Sequence, residues 1–168
     1  YQLDRTNGAF ISGAQFVDEV NWTAGLDPKT GKPVEYDPAK DVQTYIPATR
    51  NNRANLEIMA CPTPVGALRW QPPAYNSDKH IAFAAGADGC EGIKVEPSTP
   101  VSAEGGNPMG VGKSWLGGTG RFLSPYGLLT AIDVSTGQPV AKRKLTYQNK
   151  SGVLATAGGL VFTSTVEG

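Results

Sequence analysis

The last quarter of the chain, YGLLTAIDVSTGQPVAKRKLTYQNKSGVLATAGGLVFTSTVEG from Tyr126 to Gly168, constrains the fold more than any other stretch. Leu128, Thr130 and Ile132 alternate with Leu129, Ala131 and Asp133, the period-two pattern of a strand. The pattern stops at Ser135-Thr136-Gly137. Asp133 brings side-chain oxygens that cap a turn, Thr136 does the same more weakly, and Gly137 supplies the positive φ that returns the chain through Gln138 to Leu145. A second turn over Asn149 to Gly152 feeds Val153-Leu154-Ala155-Thr156, and Gly158-Gly159 turns into Leu160 to Thr163.

The same Asp-x-x-(Thr/Asn)-Gly punctuation occurs as DRTNG, Asp4 to Gly8, and DPKTG, Asp27 to Gly31. A recurrent strand-turn-strand device argues for a repeat architecture, although the intervals are unequal. Each blade of a β-propeller is a small antiparallel sheet that buries its faces against its neighbours. Long insertions at one rim spoil the period without spoiling that fold.

Composition agrees with an all-β reading: 21 Gly, 13 Pro and 18% charged residues leave no long stretch at helical period free of a Gly or Pro. The formal net charge is zero, and no basic stripe is present to displace counterions, which argues against nucleic acid and an anionic membrane surface. No run of apolar residues reaches membrane-spanning length, and Tyr1 does not begin a signal peptide. The chain opens directly on a strand-and-turn unit and ends where a further strand is expected, so the expectation is a piece of a longer protein.

Taken in order, residues 1 to 20 give strand Tyr1-Gln2-Leu3, the DRTNG turn and a return strand Ala9 to Val17. Arg5 within that turn is a candidate for projection from the sheet rim, against the plainer reading of a solvated surface arginine. Residues 21 to 57 are a polar, Pro-punctuated excursion, anchored to the body by Trp22 and Tyr45 as packing pegs. Asn51-Asn52-Arg53 reads as loop.

Cys61 and Cys90, the two cysteines of the chain, bracket a second informative block. An even count in a loop-rich β protein suggests a bridge in an oxidising compartment, and two buried free thiols are the alternative. A bridge over that loop would stabilise by roughly 3 to 4 kcal/mol in the chain-entropy model. No CxxC spacing is present, and the lone His80, read as the start of a strand running to Ala85, does not complete a zinc tetrad. Arg69-Trp70 sets a cation beside a large aromatic, which suits a planar anionic ligand or, more plainly, a stacked surface corner. Residues 91 to 125 read as a long insertion loop carrying Trp115. Its Gly112-Lys113-Ser114 ends like a phosphate-binding loop, but Asn107 stands where that motif needs glycine.

Three stretches in order, LDRTNG, the Cys61 to Cys90 block beginning CPTPVGA…WQPPAY, and AIDVSTG…GVLATAGGLVF, together resemble the methanol- and ethanol-type alcohol dehydrogenases that depend on pyrroloquinoline quinone (PQQ). The resemblance covers almost the whole chain. It implies an all-β fold, with residues 1 to 168 forming about two to three antiparallel four-stranded blades from the middle to late part of an eight-bladed propeller with PQQ on its axis. The family's blade-docking motif, Ala-x-Asp-x-x-Thr-Gly-x-x-x-Trp, is kept at Ala131, Asp133, Thr136 and Gly137, with Ala141 at the tryptophan place. It is partly kept at Asp4 and Gly8, with Asn7 for threonine and Ser12 for tryptophan.

By the same resemblance Arg5 matches a basic residue that hydrogen-bonds the quinone oxygens, where a fixed cation stabilises charge arriving with hydride. Cys61 and Cys90 match a disulfide between neighbouring strands. Arg69 falls where the family usually has an asparagine touching the cofactor, with Trp70 beside it. Lys150 stands near a tryptophan close to PQQ. These two departures suggest a divergent subgroup with altered substrate preference. The general-base aspartate and the ligands of a calcium or lanthanide ion are expected upstream, so no catalytic base and no metal ligand is expected in this segment. An alcohol substrate, a cytochrome c or other electron acceptor, the remaining blades and a periplasmic location complete the expectation. Two other classes compete: a non-enzymatic propeller scaffold that binds peptides, and a β-sandwich or carbohydrate-binding module using Trp22, Trp70 and Trp115.

Overall fold

A computed structural model describes residues 1–49, 57–63, 67–95, 118–122 and 126–167. Its strands are β1 (Gln2–Leu3), β2 (Phe10–Ser12), β3 (Glu57–Ala60), β4 (Ala74–Asn76), β5 (Ile81–Asp88), β6 (Glu91–Val95), β7 (Gly118–Phe122), β8 (Tyr126–Asp133), β9 (Pro139–Leu145), β10 (Leu154–Ala155) and β11 (Val161–Phe162). A single 3₁₀ turn, Pro47–Thr49, is the helical structure among the described residues.

β5 and β8 form the spine, paired antiparallel along their whole length from Ile81 opposite Asp133 to Asp88 opposite Tyr126. β4 and β9 complete a four-stranded antiparallel sheet in the order β4-β5-β8-β9. The sequence of β5, IAFAAGAD, is poor in strong strand formers. Burial holds it in place: Ala84, Ala85 and Ala87 are core residues, as are Leu128 and Tyr126 on the facing strand. β9 is the outer edge, and its exposed run with Lys142, Arg143 and Lys144 discourages pairing with another chain.

The chain leaves this sheet at Gly89, whose φ of 102° suits glycine, and enters a second, three-stranded sheet ordered β3-β6-β7. Ala60 pairs with Glu91, and one step beyond that pair Cys61 and Cys90 are joined by a disulfide. The bridge expected for these cysteines is present. Two hairpins, β1-β2 and β10-β11, flank the larger sheets.

The three Asp-to-Gly turns are one device built three times. In each, the glycine N–H donates to the carbonyl of the aspartate four residues earlier, at 2.7 Å for Gly8, 2.8 Å for Gly31 and 2.7 Å for Gly137. In each, aspartate Oδ1 accepts the N–H two residues on: Thr6 at 2.7 Å, Lys29 at 3.0 Å and Ser135 at 2.7 Å. The glycines adopt φ of 74°, 69° and 72°. Two of the turns meet the β1-β2 hairpin. A Cβ on Gly31 would fall 2.4 Å from the Phe10 ring, and one on Gly137 would fall 2.8 Å from Ser12 Oγ. Ser12, at the tryptophan place of the first motif, donates to Gln2 Oε1 at 2.9 Å, and Gln2 Nε2 donates to the Val134 carbonyl at 2.8 Å. A polar relay therefore occupies a junction where the family motif calls for an aromatic ring.

Three expectations need correction. The return strand ends at Ser12, not Val17: from Gln15 onward the chain becomes a strap whose backbone is taken by side chains of other elements. Thr130 Oγ1 donates to the Phe16 carbonyl at 3.2 Å, and Asp88 Oδ2 accepts the N–H of Asp18 at 2.5 Å. His80 does not begin a strand; it ends the turn with φ of 54°, and β5 starts after it and runs on to Asp88. Residues 91 to 125 are not loop throughout, since β6 and β7 lie at their two ends and pair with each other. Trp22 and Tyr45 pack on one another, ring centroids 5.7 Å apart. Asn51-Asn52-Arg53, Gly112-Lys113-Ser114 and Trp115 lie outside the described residues.

Candidate functional site

Gly127 explains how residues distant in sequence gather at one end of the four-stranded sheet. It stands opposite Ala87 at the start of β8, and the chain after β9 folds back directly over it. A Cβ there would lie 2.3 Å from the Tyr147 carbonyl oxygen and 3.1 Å from the Asn149 nitrogen. Only glycine admits this approach. Residues 149 to 153 then dock on the segment before β4: Val153 N–H donates to the Pro72 carbonyl at 3.0 Å, and Gln71 Nε2 donates to the Lys150 carbonyl at 3.4 Å.

Asn149 holds the turn from inside. It is 1% exposed, its Nδ2 donates to Thr163 Oγ1 at 2.8 Å, and its Oδ1 accepts the Ser151 N–H at 3.1 Å. Its amide is thereby committed to positioning the backbone beneath Lys150. From the other side Ala67, at φ of 57°, bridges to Ala87 and brings residues 67 to 71 up to β5. The result is a hollow of about 100 Å³ lined by Arg69, Trp70, Lys150, Gln71, Asn149 and two alanines.

Three residues singled out from sequence, Arg69, Trp70 and Lys150, thus share one concavity. The Arg69 guanidinium carbon lies 4.3 Å from the Trp70 ring centre, and the indole is 73% exposed. Arg69 is thereby stacked and Trp70 keeps an open aromatic face. Arg5 is elsewhere: it sits exposed within the first turn and is not among the residues lining this hollow.

A second polar cluster escaped the sequence reading because its members are far apart along the chain. Asp88 is fully buried and accepts the N–H of Gly89 at 2.8 Å and that of Asp18 at 2.5 Å. The Tyr126 hydroxyl donates to Asp18 at 3.1 Å and lies 3.4 Å from Asp88. Burial first, and then the charge of Asp88, pushes the Tyr126 hydroxyl far above the usual phenol range. Lys142 pairs with Asp18 at 2.8 Å, and Lys144 lies 3.5 Å above the Tyr126 ring. A tyrosine so protonated and enclosed is a fastening and not an acid or base. The one signal available was the presence of acidic residues and a tyrosine at strand ends.

Glu19, Cys61 and Cys90 are the one group of three potential metal ligands among the described residues. With the two sulfurs bonded to each other they offer no thiolate, so the group is not a metal centre.

No family model matches the chain. The whole chain aligns with the quinoprotein alcohol dehydrogenase PedH of Pseudomonas putida at 34% identity, covering 26% of that protein. A quinoprotein ethanol dehydrogenase of Pseudomonas putida is 30% identical over the whole chain, again covering 26% of its length. Among solved structures, a quinohemoprotein alcohol dehydrogenase of Pseudomonas putida HK5 superimposes with a TM-score of 0.70 at 25% identity, matching 99% of this chain and 24% of that one. The antiparallel all-β architecture is accordingly part of a β-propeller, as expected. The chain spans about a quarter of the length of the curated relatives it matches, and over its whole length it matches a segment of quinoprotein alcohol dehydrogenases.

Proposed function

We propose that the protein containing this chain oxidises an alcohol to an aldehyde or ketone by hydride transfer to PQQ, and that this segment forms one wall of the cofactor site. The observation that carries the reading is the convergence of Arg69, Trp70 and Lys150 on one hollow, in a chain whose relatives are quinoprotein alcohol dehydrogenases. An open indole face beside two cations fits a flat, anionic aromatic group.

When bound, PQQ supplies a quinone able to accept hydride from an alcohol carbon. The residues of this chain bind and orient. Trp70 offers a stacking face, and Arg69 and Lys150 offer charge-assisted hydrogen bonds to anionic oxygen. Arg5, carried on a rigid turn, is assigned as the cation beside the reactive carbonyl, where fixed positive charge lowers the barrier to arriving negative charge. The general-base aspartate and the ligands of a calcium or lanthanide ion are assigned to other parts of the full-length protein, and a cytochrome c or other acceptor takes the electrons. The Cys61–Cys90 disulfide supports a periplasmic location, because such bonds persist in oxidising compartments.

The test is reconstitution of the full-length protein with PQQ and calcium or a lanthanide, followed by dye-linked oxidation of primary and secondary alcohols. Turnover together with bound quinone absorbance is expected. Neither signal with any alcohol overturns the assignment.

A further inference from the structure

The hollow between Arg69 and Lys150 measures about 100 Å³. A cavity of about 150 Å³ admits a molecule the size of benzene, so this smaller hollow, open to solvent on one side, has room for a small polar group such as a carboxylate. Its lining holds two cations, two amides, an indole and two alanines, with no carboxylate. Neither cation forms an ion pair with a described residue; the ion pairs there are Lys40 with Asp37 and Lys142 with Asp18. Two like charges on one concavity disfavour each other until an anion comes between them.

The wall is also built to hold its shape. Asn149 is buried and hydrogen-bonded through both ends of its amide, Gln71 ties down the Lys150 carbonyl, and Arg69 lies stacked on Trp70. A guanidinium and an ammonium carried by residues that line one small hollow suit the two oxygens of a carboxylate. We propose that this hollow is a subsite for a single carboxylate group, clamped between Arg69 and Lys150. It deepens the quinoprotein reading and rests on it for the two sources of that group: a carboxylate carried by PQQ, or one carried by a hydroxy-acid substrate.

The probe is ¹³C-labelled acetate, titrated by NMR into the full-length protein before PQQ is added. Wild type binds acetate, Arg69→Gln and Lys150→Gln each weaken binding about tenfold, and Arg69→Lys and Lys150→Arg keep most of it. If PQQ displaces acetate and the Gln variants weaken PQQ affinity by a similar factor, the carboxylate is the cofactor's. If PQQ and acetate bind together, and the Gln variants raise KM for a hydroxy acid about tenfold more than for a neutral alcohol of equal size, it is the substrate's. No acetate binding to wild type, or equal binding to wild type and both Gln variants, overturns the subsite. Acetate binding without any uptake of PQQ leaves the subsite standing and removes the cofactor assignment instead.

Discussion

Asp88 accepts the backbone N–H of Asp18 on Oδ2 at 2.5 Å, joining two residues separated by 70 positions and fixing the strap of residues 15 to 22 against the four-stranded sheet. Because Asp88 is fully buried, removing its acceptors leaves the N–H groups of Asp18 and Gly89 without partners. Asp88→Ala is expected to cost about 2 to 4 kcal/mol, and Tyr126→Phe about 1 kcal/mol, since both backbone donors stay satisfied in the latter. The urea midpoint of the full-length protein checks this; equal shifts for the two variants would contradict the ordering.

Acid should loosen the same strap. The hydrogen bond from Lys142 holds the Asp18 carboxyl below the usual range, with Tyr126 adding to the effect, and threonine donors do the same for Asp4 and Asp27. A depressed carboxyl contributes stability that is complete above its unfolded value near 3.8 and is lost as pH falls through the lower folded value. Glu91 has the opposite sign: burial raises its carboxyl, so its contribution is complete below the unfolded value of 4.5 and is lost as pH rises through the folded one. Thermal midpoints measured from pH 2 to 8 are therefore expected to fall less steeply below pH 4 in Asp18→Asn than in wild type. Glu91→Gln should raise the midpoint at neutral pH.

Gly127→Ala tests how the hollow is assembled. The new methyl would press on the Tyr147 carbonyl and the Asn149 nitrogen, both backbone, so the turn carrying Lys150 must shift. The expected cost is about 2 kcal/mol. PQQ affinity, followed by quinone absorbance in the full-length protein, should fall with it. Gly158→Ala, whose Cβ meets only Thr156 Oγ1 at 3.8 Å, serves as the control and should bind like wild type.

Breaking the bridge with Cys61→Ser and Cys90→Ser together opens a loop of sequence separation 29. The expected loss is about 3 to 4 kcal/mol, read as a lowered thermal midpoint that added reductant does not lower further. A double variant as stable as wild type would mean that the β3-β6 ladder alone holds the junction.

Arg5→Ala in the full-length protein is expected to lower turnover by about tenfold or more, as loss of a fixed charge at a reacting oxygen does. Turnover equal to wild type would leave Arg5 as a turn residue only.

The sequence disclosed what local chemistry decides. Asp4, Asp27 and Asp133 each specify a turn through their own side chain and a glycine four residues on, so those turns needed no knowledge of the rest. The cysteines and Arg69, Trp70 and Lys150 were legible as residue types, and it took the fold to join the cysteines and put the other three around one hollow. The strap, the three-stranded sheet and the Asp18–Asp88–Tyr126 cluster depend on partners far away along the chain. Gln15 to Val20 continues past a strand without pairing, and nothing in those residues announces that Asp88 and Thr130 will take up their backbone. His80 gives no warning either, because a left-handed residue ahead of an apolar run has no signature in composition.

The pairing of Val95 with Gly118 has a practical reach of its own. The chain leaves at Val95 and returns at Gly118 on one and the same rung, while the sulfur link at Cys61 secures the root. Those ends are therefore held by the β6-β7 ladder, and not by the segments that carry Trp70 and Lys150.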